Sequence, residues 1–358
     1  MTCSFIKSKI KDILVLKGCY MELVDNAKNL IQSGKSEEAL DLLKDAETSV
    51  DTLLLQGNAH YNLSQFDDAI DFYTKAIALD ETCAKAYNNR GNSKGCLERY
   101  DEAITDYNKA IELNPKYAEA YFNRGFVKYN LKKMVESIAD YNKAIELDPK
   151  NFMAYNNRGN AKSYLRNYDE AILDFDKSLE INNDHNTFFN RGITKECLND
   201  YENAIADYSK ALEIKPDDVQ ILLKKAFVEY KIEDYENAGK DYEKVLDLQS
   251  ENPEALVSLG MVKHKENKDE EAFQLYSKAI DVDSDFADAY INRSISASAL
   301  GNYSIAENDL EKMFSFDIFK NDYHSTYNEI KEIVSTKEDK NSKQFLVKLE
   351  ELEQRIKK

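Results

Sequence analysis

Basic residues stand sixteen positions ahead of an aspartate six times in this chain: Arg90 with Asp106, Arg124 with Asp140, Arg158 with Asp174, Arg191 with Asp207, Lys225 with Asp241 and Arg293 with Asp309. A guanidinium facing a carboxylate forms a two-pronged, charge-assisted pair, which is a chemistry of clasping rather than of bond breaking. Where the base is missing its partner is missing too: Gln56 and Leu259 stand in the basic position, and Phe72 and Leu275 follow sixteen residues on. Pairing each base with the preceding aspartate instead would set Arg90 against Phe72, Asp241 against Leu259 and Arg293 against Leu275. The pairs therefore belong within one copy of a repeat, as structural ion pairs joining its two halves.

Other reactive residues form no constellation. His60, His185, His264 and His324 are scattered, and none stands with Cys or carboxylate at metal-ligand spacing. There is no phosphate-binding loop, dinucleotide fingerprint or nucleophile elbow. Acid pairs such as Asp67-Asp68 and Asp101-Glu102 open helices, where carboxylates favour the dipole, and read as caps. The expectation is a protein that is not an enzyme, with no catalytic residue, metal or cofactor.

The composition narrows the partners. A formal charge of −18 repels nucleic acid and anionic membrane surfaces. Two readings of the acidity stand, attraction of basic proteins and simple solubility of an extended array. The five cysteines, Cys3, Cys19, Cys83, Cys96 and Cys197, are odd in number and lack CxxC spacing, so they read as free thiols in a reducing compartment. Phe5, Ile6, Ile10 and the run from Ile13 to Leu16 are too short for a signal-peptide core. No segment reaches the ~18 apolar residues of a membrane span. A cytoplasmic location is expected.

The elements that position the ion pairs follow from periodicity. Gly57, Gly91, Gly125, Gly159, Gly192, Ala226, Gly260 and Ser294 recur every 34 residues, once every 33, and a second small residue follows each by twelve: Ala69, Ala103, Ser137, Ala171, Ala204, Ala238, Ala272 and Ala306. Small side chains at both places let two helices approach closely. Pro115, Pro149 and Pro216 close their copies, because proline cannot continue a helix. The unit is a helix hairpin, and such units must stack to bury both faces.

With Tyr87, Arg90-Gly91, Tyr100, Ala103, Tyr107, Ala110 and Pro115 in one copy, and Tyr121, Tyr155, Phe188 and Tyr290 continuing the first position, the chain resembles the tetratricopeptide repeat family. The resemblance implies an all-α, right-handed α-solenoid. Nine copies are drawn over residues 20–320, at 20–49, 50–83, 84–117, 118–151, 152–184, 185–218, 219–252, 253–286 and 287–320, after an extension at 1–19. In the ninth, Met313 replaces a small residue and Phe314, Phe316 and Phe319 follow, suggesting docking against the segment beyond. Residues 321–358 are read as capping helices, one from Tyr323 to Val334 and another from Lys343 to Ile356 with Phe345, Leu349, Leu352 and Ile356 at coiled-coil-like spacing. Self-association or occupation of the groove by this last helix stays open.

The resemblance further implies that the first helices line a concave groove for an extended peptide. Its candidate residues are Asn88, Asn89 and Asn92, then Phe122, Asn123 and Phe126, then Asn156, Asn157 and Asn160, with Phe189, Asn190 and Asn292 beyond. The series Asn89, Asn123, Asn157, Asn190 and Asn292 is similar to the asparagine ladder of O-GlcNAc transferases, whose catalytic domain has no counterpart here. A carboxamide pairs with peptide backbone, but Asn bonding a neighbouring helix reads equally well. Flanking positions turn from polar to apolar at Phe189 with Ile193, and continue so at Leu223, Phe227, Val257, Met261, Ile291 and Ile295. The carboxylate clamp for Hsp70 and Hsp90 tails fails, because Leu54, Glu119 and Asn123 stand where its cations belong. Two functions follow: a scaffold or adaptor holding protein segments in the groove, and a structural subunit joining a larger assembly through its apolar C-terminal repeats and tail helix.

Overall fold

The computed structural model describes residues 20–313, 323–337 and 339–356, and all regular structure among them is helical. The expectations for Cys3, Cys19 and the N-terminal apolar run, for Phe314, Phe316 and Phe319, and for the side chain of Ile356 lie outside the described residues. Two compact units divide at Asn183 and Asp184. Each is an α-solenoid of stacked helix hairpins.

The first unit begins with a helix over residues 20–32 (α1) and the short α2 (Ser36–Leu43), then runs α3 (Val50–Asn62), α4 (Phe66–Leu79), α5 (Ala84–Cys96), α6 (Tyr100–Leu113), α7 (Ala118–Asn130), α8 (Met134–Leu147), α9 (Phe152–Tyr164) and α10 (Tyr168–Ile181). The second holds α11 (His185–Cys197), α12 (Tyr201–Ile214), α13 (Val219–Lys231), α14 (Tyr235–Leu248), α15 (Pro253–Lys265), α16 (Asp269–Val282), α17 (Ala287–Leu300) and α18 (Tyr303–Met313), followed by α19 (Tyr323–Ser335) and α20 (Lys340–Ile356).

From Gly57 on Tyr73 to Gly260 on Tyr276, most hairpins are held by a glycine seated on a ring. A Cβ added at Gly91 would lie 2.8 Å from Tyr107, and one at Gly159 would lie 2.7 Å from Phe175. Only hydrogen fits there. The partner small residues Ala69, Ala103, Ala171 and Ala204 are fully buried. Where Ser137 replaces Ala its hydroxyl donates to the Gly125 carbonyl at 2.7 Å, so a buried polar atom is satisfied and the closeness of the two helices is visible.

The backbone form of the turn inside each hairpin was not foreseen. Ser64, Glu98, Lys132, Arg166, Asn199, Glu233 and Asn267 all take positive φ between 57° and 65°, and Gly34 and Gly301 hold the same place in the first and last copies. In the third copy Arg99 N donates to Lys94 O at 2.9 Å and Glu98 N to Gly95 O at 3.0 Å. That double bond closes the orphan carbonyls of the helix end with backbone alone. The acids of the following helix lie in its first turn but accept no capping bond: α4 and α6 have no side-chain cap, so Asp67, Asp68, Asp101 and Glu102 act on the dipole only.

The tail helices complete the second unit. Met313 is buried with Tyr327, Ile330 and Val334 of α19 and with Phe345, Leu349 and Leu352 of α20 in a core shared with Tyr290, Ile295 and Leu310. Lys337 Nζ also donates to the Ser298 carbonyl at 3.2 Å. Phe345, Leu349 and Leu352 of the α20 stripe are thus spent inside the chain.

Candidate functional site

The ionic joints are bidentate. Arg90 Nε and Nη2 donate to Asp106 at 2.9 and 2.7 Å, and the same geometry holds at Arg124 with Asp140, Arg158 with Asp174, Arg191 with Asp207 and Arg293 with Asp309. Each of these aspartates is buried. Two features escaped the sequence reading. A lysine four residues after the arginine adds a second cation: Lys94 to Asp106 at 2.8 Å, Lys128 to Asp140 at 2.9 Å, Lys162 to Asp174 at 2.7 Å and Lys195 to Asp207 at 2.8 Å. The remaining guanidinium nitrogen reaches back one copy, from Arg90 to Thr74 at 3.1 Å, Arg124 to Asn108 at 2.6 Å, and Arg158 to Asn142 at 2.7 Å. The arginine therefore joins two helices of its own copy and also stitches copy to copy. Its flat face lies over a ring three residues earlier, as Arg158 does over Tyr155 at 5.4 Å.

The first helices α3, α5, α7 and α9 are neighbours along one face of the first unit, and their asparagines bond one another. Asn89 donates to Asn58 at 2.9 Å, and Tyr73 donates to the same oxygen at 2.8 Å. Asn123 donates to Asn88 at 3.1 Å, while Asn88 donates to Glu119 at 3.0 Å. Asn88 is 0 % exposed. It is a bridge between α5 and α7 and is withdrawn from the groove, because both halves of its amide are spent and no surface remains to touch a ligand. Asn92 accepts from Tyr107 at 2.8 Å, and Asn156 donates to Asn157 at 3.2 Å.

Two clefts open on this face. One, of about 270 Å³, is lined by Ile31, Asn58, Tyr61, Asn62, Tyr73, Asn89 and Asn92. The other, of about 280 Å³, includes Tyr61, Asn92, Cys96, Tyr107, Asn123 and Phe126. Tyr61 belongs to both, and burial, with Cys96 after it, pushes its phenol up to about 12, so it remains a neutral donor. Phe126 is half exposed, whereas Phe122 leans on Tyr141 with ring centroids 5.9 Å apart. Asn157 and Asn160 are half-buried on α9. Asn58 and Tyr61 were not placed in the groove; Asn58 follows its glycine just as Asn92 and Asn160 do, which is the signal that could have found it.

In the second unit Phe189 and Asn190 are half-buried on α11, and Phe189 leans on Tyr208 at 5.8 Å. Asn292 donates to its own helix at Asp288 O, 2.8 Å away. It also lines a cleft of about 360 Å³ with Phe227, Tyr230, Tyr242, Glu254, Val257, Ser258, Met261, Phe286 and Asp288. Beside it the joint of the seventh copy is rearranged. Lys225 bonds both Asp241, at 2.7 Å, and Glu229, which stands where the third to sixth copies carry lysine. Glu229 is buried with Oε2 unpartnered, and burial pushes its carboxyl up to about 7. His264 does stand among carboxylates: Nδ1 is 2.6 Å from Asp269 and Nε2 3.7 Å from Glu329 of α19, which ties the tail to the array. The two acids meet different ring nitrogens, which is not a chelating arrangement. Among the described residues no group of three or more His, Cys, Asp or Glu could hold a metal, and no helix is long and apolar enough to cross a membrane.

Models described as tetratricopeptide repeat match residues 50–83, 118–151, 152–185 and 185–218, and a further one residues 223–288. Another, described as TPR repeat, matches 97–132. Together they span more than half the chain. No curated protein matches it. Among solved structures, the C-terminal part of a TPR repeat-containing protein from Cytophaga hutchinsonii is similar at TM-score 0.56 and 18 % identity, over 66 % of this chain and 97 % of that one. A tetratricopeptide repeat protein from Parabacteroides merdae gives 0.50 and 19 %, over 69 % and 98 %. MamA gives 0.40 and 30 %, over 43 % and 93 %.

Proposed function

The chain belongs to the tetratricopeptide repeat family, and from that premise we propose that it is a non-catalytic scaffold holding an extended segment of a partner protein along the face of its first helices. The observation that carries this is the pair of clefts between α3, α5 and α7, where amides and phenols converge on open space with no charged group among the described lining residues. Such a lining offers donors and acceptors to a peptide backbone and is indifferent to the charge of its side chains.

The test is a photo-crosslinking residue placed in the full chain at Asn92, on the first-helix face, or at Lys109, on a second helix. Crosslinks to another polypeptide from position 92 and not from 109, lost when Asn58, Asn89 and Asn123 become Ala with helicity intact, are the expected result. Crosslinks from 109 alone would place the partner on the opposite face and end the proposal. The reading as a subunit of a larger assembly loses Phe345, Leu349 and Leu352 as contacts, since these three are already buried.

A further inference from the structure

We propose, resting on the reading of the first-helix face as a peptide-binding surface, that the cleft between α13, α15 and α17 takes a large apolar side chain of the partner with a lysine or arginine directly beside it. The cleft holds about 360 Å³ and is walled by Phe227, Val257, Met261 and Phe286. Phe227 is 41 % exposed, which leaves an apolar wall facing water. At the edge stand Glu254 and Asp288, each the second residue of its helix and 34 positions apart, so two successive first helices bring a carboxylate to one opening. Among the described residues no basic side chain lines it.

Charge decides which neighbour the apolar side chain carries. Both acids sit exposed in the first turn of a helix, and the whole chain carries a formal charge of −18. An acidic partner segment would be repelled at the opening and by the long-range field, whereas a cation gains a charge-assisted bond at its side. Phe227 already carries the Lys231 ammonium 4.8 Å from its ring centre. The partner's cation is therefore directed to Glu254 and Asp288 and its apolar group to Val257 and Met261. The first unit's clefts have no such acids in their linings, so the requirement belongs to this cleft.

The test is a random twelve-residue peptide library selected on the full chain, followed by titration of the enriched peptides as synthetic probes. Enrichment of Leu, Met or Phe next to Lys or Arg is expected. Affinity should fall at least tenfold when the peptide's cation becomes Glu, and at least tenfold in a Glu254→Lys, Asp288→Lys double variant. Glu254→Gln with Asp288→Asn, which changes no shape, should give a smaller loss in the same direction and serves if the reversal misfolds. Enriched peptides indifferent to all these changes but lost in Asn58→Ala with Asn92→Ala would overturn the inference and leave the amide face standing. A library with no enriched sequence would overturn both. Concentration-dependent self-association abolished by Met261→Lys would show a second copy in the cleft and also overturn it.

Discussion

The hairpins of residues 84–183 and those of 219–313 share a backbone plan and differ in what joins their helices. In the first stretch every joint is an arginine and a lysine on one buried aspartate. In the second it is Lys225 between Asp241 and Glu229, then Leu259 with Leu275, then Arg293 on Asp309 with Ala297 in the lysine's place. The turns persist through the change, since Glu233 and Asn267 still take positive φ, and so does the glycine-on-ring contact at Gly260, where a Cβ would strike Tyr276. Close packing and turn geometry thus specify the hairpin, while the joint tolerates any complementary set, provided its members change together. The exposed face follows the same division, amide-lined in the first unit and apolar with an acidic edge in the second.

The sharpest way to break this comparison is to remove one carboxylate from each kind of joint. Asp174→Ala strands Arg158 and Lys162, whose side chains are 16 % and 20 % exposed, and should cost about 3 kcal/mol, because an uncompensated, partly buried charge remains. Asp241→Ala leaves Lys225 its bond to Glu229, and should cost less than about 1 kcal/mol. Urea denaturation of the full chain, with amide exchange to locate the loss, reads both. Equal losses would mean that the two joints are energetically alike.

A second difference lies in pH. Glu229 has its carboxyl pushed up to about 7 by burial, against an ordinary value of 4.5. Below 4.5 it is protonated folded or unfolded. Between 4.5 and 7 the unfolded chain releases the proton and the folded chain keeps it, so stability falls as pH rises, by on the order of 3 kcal/mol in all. His264 acts in the same direction: Glu329, and after it Asp269, hold the imidazole above its ordinary 6.5, so its contribution is whole below 6.5 and lost as pH rises through the folded value. Amide exchange in α13 and α14, corrected for intrinsic rates, should show protection falling from pH 4.5 to 7 and flattened by Glu229→Gln. A profile unchanged by that substitution would remove Glu229 as the cause.

Much of this was legible in the chain. First helices begin at Val50, Ala84, Ala118 and Phe152 because apolar and small residues recur there at helical spacing, and α6, α8 and α12 end two residues before Pro115, Pro149 and Pro216. The tail helices and their burial of Phe345 and Leu349 followed from the same periodicity. The face of a single amide did not. Asn88 and Asn89 are adjacent, identical in chemistry and about 100° apart on the helix, and only the position of α7 sends Asn88 into the interface and leaves Asn89 at its edge. The second cation was written in the sequence as Lys94, Lys128, Lys162 and Lys195, each four residues after its arginine, but i and i+4 lysines are common on solvated faces. Glu229 breaks that series, and its burial depends on packing that no local pattern expresses.

The smallest effect concerns the turns, which left no side-chain signal because backbone groups alone close them. Glu98 and Arg166 hold φ of 57° and 63°, a region costing an L-residue about 1–2 kcal/mol. Glycine there removes that cost but adds freedom to the unfolded chain worth about 0.4–1 kcal/mol. The balance should favour Glu98→Gly and Arg166→Gly by about 0.5–1 kcal/mol each. Asn199→Gly in the second unit should gain less, because asparagine visits this region more readily, and Gly301→Ala should lose about 1 kcal/mol. Measured by thermal and urea unfolding, the ordering Arg166 above Asn199 tests whether the turn is set by backbone geometry alone. Equal gains at both positions would instead mean that the arginine and the asparagine are held in place by something the side chains themselves contribute.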